Sequence, residues 1–375
     1  MLLAIALFVA AELPRGAIVD EVHAEAGSAQ HYSLYLPANY TPDRAWPLIL
    51  AFDPRGRGRT PVERYQAAAE KYGYIVAGSN VSRNGSWAVS MKAAEAMGAD
   101  VNQRFKIDAR RVYTAGMSGG ARVAMGIAMG SDLIAGVVAS SAGYPDSQPR
   151  KTLPFVVFGT AGTEDFNYHE LRELDRTLTT PHRVAIFAGG HVWLSSELAT
   201  EAVEWLQLQA MASGRAPRDT AWIESMFQAR LAAADALHGA AAVNALDALA
   251  ADFKAFQDVS PVAARAAALR KQKPVRDALK SLLEEDRTEE RRSMEFLELE
   301  SRLPGAERTE VLGQLRAAWK HLAKDSAAPA DSPTRRVARR LMRNLAMSAG
   351  QRTEDPEYRK LVMEFAPPLR GRPGV

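Results

Sequence analysis

A serine in the first half of the chain has the sequence surroundings of a catalytic nucleophile. Ser118 is the central residue of Gly116–Gly120, a segment that matches the pattern G-x-S-x-G. The segment follows Arg111–Ala115, an apolar run typical of a β-strand, and precedes a stretch typical of a helix. A serine on such a strand-to-helix turn has strained backbone geometry, and its close neighbours must lack a Cβ atom. We therefore expect Ser118 to act as a nucleophile in acyl transfer.

A serine hydroxyl needs a base to accept its proton and an acid to orient that base. Among the 7 histidines, His191 alone follows a predicted strand and precedes a predicted helix in this part of the chain. Asp165 follows the predicted strand Pro154–Gly159 and gives the chain order Ser, Asp, His. Glu164 is the alternative acid, because the sequence does not define the geometry of the loop. The predicted catalytic residues are Ser118, Asp165 and His191.

The elements that position these residues alternate between strands and helices. Several strands are apolar on both faces, as in Leu48–Phe52, which is typical of buried strands in a parallel sheet. The alternation predicts an α/β fold with a doubly wound, mostly parallel sheet. The predicted strands are His31–Leu36, Pro47–Asp53, Tyr74–Ser79, Arg111–Ala115, Ile134–Ser140, Pro154–Gly159 and Arg183–Phe187. The predicted helices are Val62–Tyr72, Trp87–Arg104, Gly120–Met129, His169–Leu178 and Ser196–Gln209.

The composition changes near residue 212. Beyond this point the chain is rich in Ala, Leu, Glu and Arg, with hardly any β-branched runs, which predicts an all-α domain. We predict a catalytic domain over 23–212 and a helical domain over 213–375, whose paired helices weakly resemble a helical-repeat array. The predicted helices of this region are about 219–237, 240–257, 261–286, 288–302, 305–323, 333–348 and 356–364.

The N-terminal apolar run Leu2–Ala11 resembles the hydrophobic region of a signal peptide, although no Lys or Arg precedes it. The run is too short to cross a bilayer, which needs roughly 20 residues in a helix. We predict a signal peptide and leader over residues 1–22 and no stable membrane span. Export to the periplasm or the cell exterior is the expected destination, with the cytoplasm as the alternative.

The composition excludes several classes of protein. The chain has 375 residues, 47% hydrophobic and 24% charged, which is typical of globular proteins rather than collagen-like or disordered chains. The net charge is only +3, and no nucleic-acid partner is expected. The absence of cysteine excludes disulfides, redox thiols and thiolate zinc sites. Acyl transfer by a serine needs no metal or organic cofactor, and we predict none.

Residues from about 30 to 210 resemble α/β-hydrolases of the esterase group that contains polyhydroxybutyrate depolymerases and feruloyl esterases. The motifs that carry the resemblance are Asp108–Gly120 around the serine, Gly162–Asp165, and Gly189–Trp193. The resemblance implies an α/β-hydrolase fold and a carboxylesterase activity of class EC 3.1.1. It also implies Ser118 as the nucleophile, His191 as the base and Asp165 as the acid.

One loop departs from the pattern of these esterases. They usually carry His-Gly after the second core strand, where backbone N–H groups bind the oxyanion. Here the strand is followed by Asp53–Arg55, and the central Pro54 has no N–H to donate. We expect the amides of Arg55 and Gly119 to form the oxyanion hole. The alternative is an Asp-Pro turn with a solvated basic rim.

Two loops supply candidate substrate contacts. Asn80 and Trp87 lie in a loop that follows a predicted strand, and Trp193 follows His191. We predict that these three residues line the pocket for a small-molecule or polymer-derived ester, although tryptophans at helix starts more often only pack.

The helical region contains an amphipathic helix with arginines at 335, 336, 339, 340 and 343. Such a face binds a membrane surface, a nucleic acid or an acidic partner, or else it pairs with local carboxylates, which is the commoner case. We expect the helical region to serve a protein partner or to cover the cleft. A chain ending near Gln209 is then expected to keep its activity.

Two other functions compete with an esterase. One is a serine peptidase of the prolyl-oligopeptidase type, although no additional substrate-excluding domain is evident in the sequence. The other is an interaction protein whose α/β domain has lost catalysis.

Overall fold

The computed structural model describes residues 13–24, 28–146, 148–352 and 354–366, so the apolar run Leu2–Ala11 lies outside the described residues. The strands are β1 Ile18–His23, β2 His31–Tyr35, β3 Trp46–Phe52, β4 Ile75–Ser79, β5 Ile107–Met117, β6 Ile134–Ser140, β7 Val156–Gly162 and β8 His182–Phe187. The helices are α1 Arg59–Tyr72, α2 Trp87–Arg104, α3 Gly119–Met129, α4 Tyr168–Thr177, α5 Ser196–Ala212, α6 Thr220–Asp235, α7 Gly239–Phe253, α8 Ser260–Arg270, α9 Lys273–Ser301, α10 Arg308–Ser326, α11 Pro333–Arg352 and α12 Pro356–Phe365.

The strands form one sheet in the order β1-β2-β4-β3-β5-β6-β7-β8. The pairs β3–β4, β3–β5 and β5–β6 are parallel, whereas β1 and β2 add antiparallel pairs at one edge. Every residue of β3, β4 and β6 is buried, as expected for strands covered on both faces. The predicted fold class, a mostly parallel α/β sheet followed by a helical region, is therefore confirmed.

The chain forms two compact units. The sheet unit comprises the described residues up to Gly159, Leu178–His182 and Trp193–Ala216. The helical unit comprises Thr160–Thr177, Arg183–Val192 and the described residues from Pro217 onward. The loops that carry Asp165 and His191 therefore group with the helical region, although they precede the predicted boundary at residue 212. The predicted ranges 1–22, 23–212 and 213–375 remain predictions.

Two elements differ from the sequence-based expectation. Ile18–Val22, inside the predicted leader, belong to β1, which pairs with β2. The helices predicted at 261–286 and 288–302 are wrongly divided, because the observed break lies between Arg270 and Lys273. The second helix begins with a proline at its first turn, where the missing N–H costs no hydrogen bond. It then continues without a break to Ser301.

The helical unit has its own apolar core. Trp319 of α10, Leu341 of α11 and Tyr358 of α12 are buried together with the other apolar residues of these helices. The buried face of α11 contains Val337, Leu341 and Leu345, and Arg340 beside them is also buried. Within the described part of the chain, no helix has the length and apolar character needed to cross a membrane.

Candidate active site

Ser118 lies on a strained turn in the sheet unit, between the end of β5 and the start of α3. Its backbone has φ 55° and ψ −122°, a region that residues with side chains rarely adopt. Such a conformation costs on the order of 1–3 kcal/mol and persists only where the surrounding structure enforces it. The Ser118 N–H donates to the carbonyl of Ser140 at the end of β6, 2.8 Å away, which helps to hold the turn.

The two outer glycines of the motif allow backbone segments to meet at this turn. A Cβ on Gly116 would lie 2.1 Å from the Gly120 carbonyl oxygen. A Cβ on Gly120 would lie 2.0 Å from the carbonyl oxygen of Phe52, the last residue of β3. Neither position tolerates a side chain, so both glycines are required by the close packing of this strand-to-helix turn.

The loops that follow β7 and β8 meet in the helical unit. The Thr163 N–H donates to the Phe187 carbonyl at 2.9 Å, and the Glu164 N–H donates to the Gly189 carbonyl at 2.7 Å. A Cβ on Gly162 would lie 2.4 Å from the Gly189 carbonyl oxygen, so only glycine permits this approach. These contacts bring the acid-bearing loop against the histidine-bearing loop.

Asp165 and His191 form a hydrogen-bonded pair at this junction. Asp165 Oδ1 lies 2.8 Å from His191 Nδ1 and also accepts from the Asn167 N–H at 2.8 Å. The Asp165 carboxylate is completely buried, and its Oδ2 has no hydrogen-bond partner among the described residues. The imidazole stacks on the Phe166 ring at a centroid distance of 4.0 Å. An Nδ1–H donated to the carboxylate leaves Nε2 available as a base.

Glu164, the alternative acid, is directed elsewhere. Its carboxylate binds two arginines of α11, with Arg335 Nε at 2.8 Å and Arg339 Nη1 at 2.6 Å. Of the two neighbouring acids, Asp165 is the one that hydrogen bonds to His191.

Asp53, which belongs to the unusual turn after β3, is buried in the sheet unit and accepts several hydrogen bonds there. Its carboxylate has no solvent exposure and accepts from the Arg55 N–H at 2.9 Å and the Trp193 indole N–H at 2.8 Å. Arg57 adds two side-chain bonds of 3.0 Å, and this hydrogen bonding raises the pKa of the Arg57 guanidinium. The available signal was an acidic residue placed directly after a fully apolar strand.

The predicted oxyanion donors have different surroundings. Gly119 begins α3, where the first N–H groups have no partner within the helix. The Arg55 N–H instead donates to Asp53 Oδ1, so binding an oxyanion would require that bond to be shared or broken.

Asn84 is a further polar residue near these donors, and its N–H donates to the Pro54 carbonyl at 2.9 Å. Its side-chain oxygen lies against Gly119, only 1.8 Å from where a Cβ would stand.

Asn80, predicted to contact substrate, is engaged within the sheet unit. Its Oδ1 accepts from the Gly58 N–H at 2.9 Å and the Ser33 hydroxyl at 3.2 Å. Its Nδ2 donates to the Asp20 carbonyl at 3.0 Å. These bonds connect the β1–β2 edge to the loop after β3, which is a structural role.

The two predicted tryptophans differ in exposure. Trp87, at the start of α2, is 46% exposed, and its ring lies against α3, where a Cβ on Gly126 would come within 2.4 Å of it. Trp193 is buried and donates to Asp53. Only Trp87 therefore offers an accessible aromatic surface.

No protein-family model and no curated protein sequence matches the chain. Among similar solved structures is the fluorophosphonate-binding serine hydrolase FphF of Staphylococcus aureus, 16% identical, with 52% of this chain and 99% of that chain covered and a TM-score of 0.42. A ferulic acid esterase is 15% identical, covering 51% of this chain and 97% of its own, with a TM-score of 0.41. An esterase of Pyrobaculum calidifontis is 10% identical, covering 52% and 87% of the two chains, with a TM-score of 0.42. Each of these three proteins is named as a serine hydrolase or an esterase.

Proposed function

We propose that the protein is a serine carboxylic-ester hydrolase that works through an acyl-enzyme. The observation that carries this proposal is the strained backbone of Ser118 on a glycine-bounded strand-to-helix turn, the arrangement of a nucleophile elbow. The Asp165–His191 hydrogen bond adds the acid–base pair that a serine nucleophile needs. Because a fold alone does not define a function, the proposal rests on these residues.

In the proposed reaction, the Ser118 hydroxyl oxygen forms a bond to the ester carbonyl carbon while His191 Nε2 takes the hydroxyl proton. The tetrahedral oxyanion collapses, the bond to the alcohol oxygen breaks, and His191 returns the proton to the leaving alcohol. Water then attacks the acyl-enzyme by the same two steps and releases the carboxylic acid. Asp165 accepts the Nδ1–H throughout and stabilises the imidazolium. Acyl transfer by this route calls for no metal or organic cofactor.

The developing oxyanion needs hydrogen-bond donors near Ser118. The Gly119 N–H is the first candidate, since it stands at the positive end of α3. The Arg55 N–H is the second, provided that it turns from the Asp53 carboxylate toward substrate. The Asn84 side chain lies beside Gly119 and is a further polar group near this turn.

The engaged Arg55 amide also favours a second candidate function. If Asp53 keeps that N–H in every state, the oxyanion loses a donor, which typically costs about 10²–10³ in rate. The protein would then be a catalytically lapsed hydrolase that acts through interactions. We place the esterase first because the turn at Ser118 and the Asp165–His191 pair both have the geometry that the reaction needs.

Export through the N-terminal apolar run is part of the same proposal.

Labelling by a fluorophosphonate probe tests the nucleophile directly. We expect covalent modification of Ser118 in the full chain, identified by mass spectrometry, and hydrolysis of p-nitrophenyl acetate. Ser118→Ala should abolish both, because it removes the hydroxyl that attacks the phosphorus or the carbonyl carbon. Ser131→Ala, which removes a serine outside the site, should change neither. A wild-type protein that is neither labelled nor active on short acyl esters would support the lapsed hydrolase.

The choice between esterase and peptidase is tested by the leaving group. We expect p-nitrophenyl esters to be cleaved faster than aminoacyl-p-nitroanilides, since an amine is a poorer leaving group and no pocket for a peptide amine is evident in the sequence. The measurement is kcat/KM on both series, followed by a panel of feruloyl, acetyl-xylan and aliphatic esters. A preference for the anilides would replace the esterase with the peptidase.

Asp53→Asn should reduce ester hydrolysis without touching the triad. An asparagine amide presents N–H groups where two donors now converge on Oδ2, so the Asp53–Arg57 loop and the Arg55 amide should shift. Asparagine also loses the charge pairing with Arg57 and leaves buried donors without an acceptor, so the melting temperature should fall as well. Trp193→Phe removes a single donor and should give a smaller loss of both. Equal kcat in Asp53→Asn and wild type would show that this loop does not serve catalysis.

A further inference from the structure

The loop that carries the catalytic acid is held from both sides by one helix of the C-terminal region. We propose that α11 is the positioning element of the Asp165 loop, so that the helical region is part of the catalytic apparatus. This inference rests on the proposed function, since it assigns Asp165 to the triad. All residues that carry it belong to the helical unit.

The residue before Asp165 is fixed by two arginines. Arg335 and Arg339 lie on the same face of α11, four positions apart, and both bind the Glu164 carboxylate, 171 and 175 residues earlier in the chain. Glu164 is only 12% exposed in its side chain, so the pairs are shielded from much of the solvent. Charge-assisted bonds of this kind are shorter and stronger than neutral ones.

Arg340 fixes the backbone one position further upstream. Its Nη1 donates to the Thr163 carbonyl at 2.5 Å, and its guanidinium lies 4.6 Å from the centre of the Tyr168 ring. The Arg340 side chain is almost completely buried between Glu289, at 2.6 Å, and Glu285, at 3.0 Å. A buried arginine with two carboxylate partners has little freedom to move, so the Thr163 carbonyl is held rigidly.

Asn344 holds the other side of Asp165. Its Nδ2 donates to the Phe166 carbonyl at 3.0 Å. Phe166 stacks on the His191 ring, so this bond also supports the surface on which the imidazole rests. Residues 335, 339, 340 and 344 follow helical spacing, and together they bind both neighbours of Asp165 and the residue before them.

The position of α11 depends in turn on the helical core. Val337, Leu341 and Leu345 pack with Trp319 of α10 and Tyr358 of α12. A chain ending near Gln209 would lack all of these contacts and leave the Asp165 loop without support. We therefore expect such a chain to lose activity, contrary to the expectation from sequence alone.

The test uses the full-length protein and two variants of the clamp, which is the set of α11 residues Arg335, Arg339, Arg340 and Asn344 that bind the Asp165 loop. Arg335→Gln/Arg339→Gln removes both partners of Glu164, and Asn344→Ala is a milder change on the opposite side of the loop. Arg343→Gln is the matched control, because Arg343 is an exposed arginine of the same helix with no described contact to the loop. Kinetics on p-nitrophenyl acetate should show kcat reduced about 10–100-fold in the double variant, with KM nearly unchanged, because misplacing a catalytic group impairs the chemical step. Arg343→Gln should match wild type.

A spectroscopic readout separates positioning from general stability. The proton shared by His191 Nδ1 and Asp165 gives a far-downfield NMR resonance when that hydrogen bond is intact, and it should broaden or disappear in the clamp variants. Arg335→Lys/Arg339→Lys, which keeps both charges, should restore part of kcat and of the resonance. A wild-type resonance and wild-type kcat in both clamp variants would overturn the inference while leaving the esterase proposal intact. If wild type itself is not labelled at Ser118, the esterase proposal fails, and the resonance in the clamp variants still decides whether α11 positions Asp165.

Discussion

A carboxylate removed from water must be compensated by hydrogen bonds or positive charge. This requirement explains the hydrogen bonding in the two loops that carry Asp53 and Asp165. Asp53 and Asp165 are each completely buried. Asp53 is saturated by the Arg57 guanidinium, the Trp193 indole and backbone N–H groups, which is the pattern of a structural anion. Asp165 has fewer partners, and one of them is His191, while its Oδ2 is unpaired among the described residues. A buried acid that is incompletely satisfied by fixed groups can strengthen its interaction when the neighbouring imidazole becomes charged.

The arginines of α11 are best understood as the counterpart of buried acids within the same unit. Arg336 and Arg340 both bind Glu285, Arg340 also binds Glu289, and Arg336 also binds Asp331 in one charged cluster. The hydrogen bond to Glu285 raises the pKa of the Arg336 guanidinium. Breaking such a cluster is costly because each remaining charge would be left uncompensated. Four of the five arginines that resemble a binding surface in the sequence therefore pair with carboxylates of the same unit, and Arg343 is the exposed exception.

The sequence predicted those features that depend on local pattern. The turn at Ser118 follows from glycine spacing and from the flanking strand and helix, and the parallel strands follow from continuous apolar runs. The sequence favoured Asp165 but left Glu164 open as the alternative acid, because the arginines that bind Glu164 lie more than 170 residues away. The edge strand Ile18–His23 was missed because its short segment adjoins a run that resembles a signal peptide. The start of α9 was missed because a proline is favourable in a first turn as well as after a helix end.

The loop after β3 shows how a departure from a motif can be accommodated without losing the turn. Pro54 contributes no N–H, yet its carbonyl accepts from the Asn84 N–H and so connects this loop to the one that contacts Gly119. The neighbouring Arg55 N–H is directed inward to Asp53. The Arg55 N–H therefore stabilises the conformation of the loop instead of facing outward as a free donor. In the proposed reaction, oxyanion binding would then depend on Gly119 and on Asn84, whose side chain lies beside Gly119.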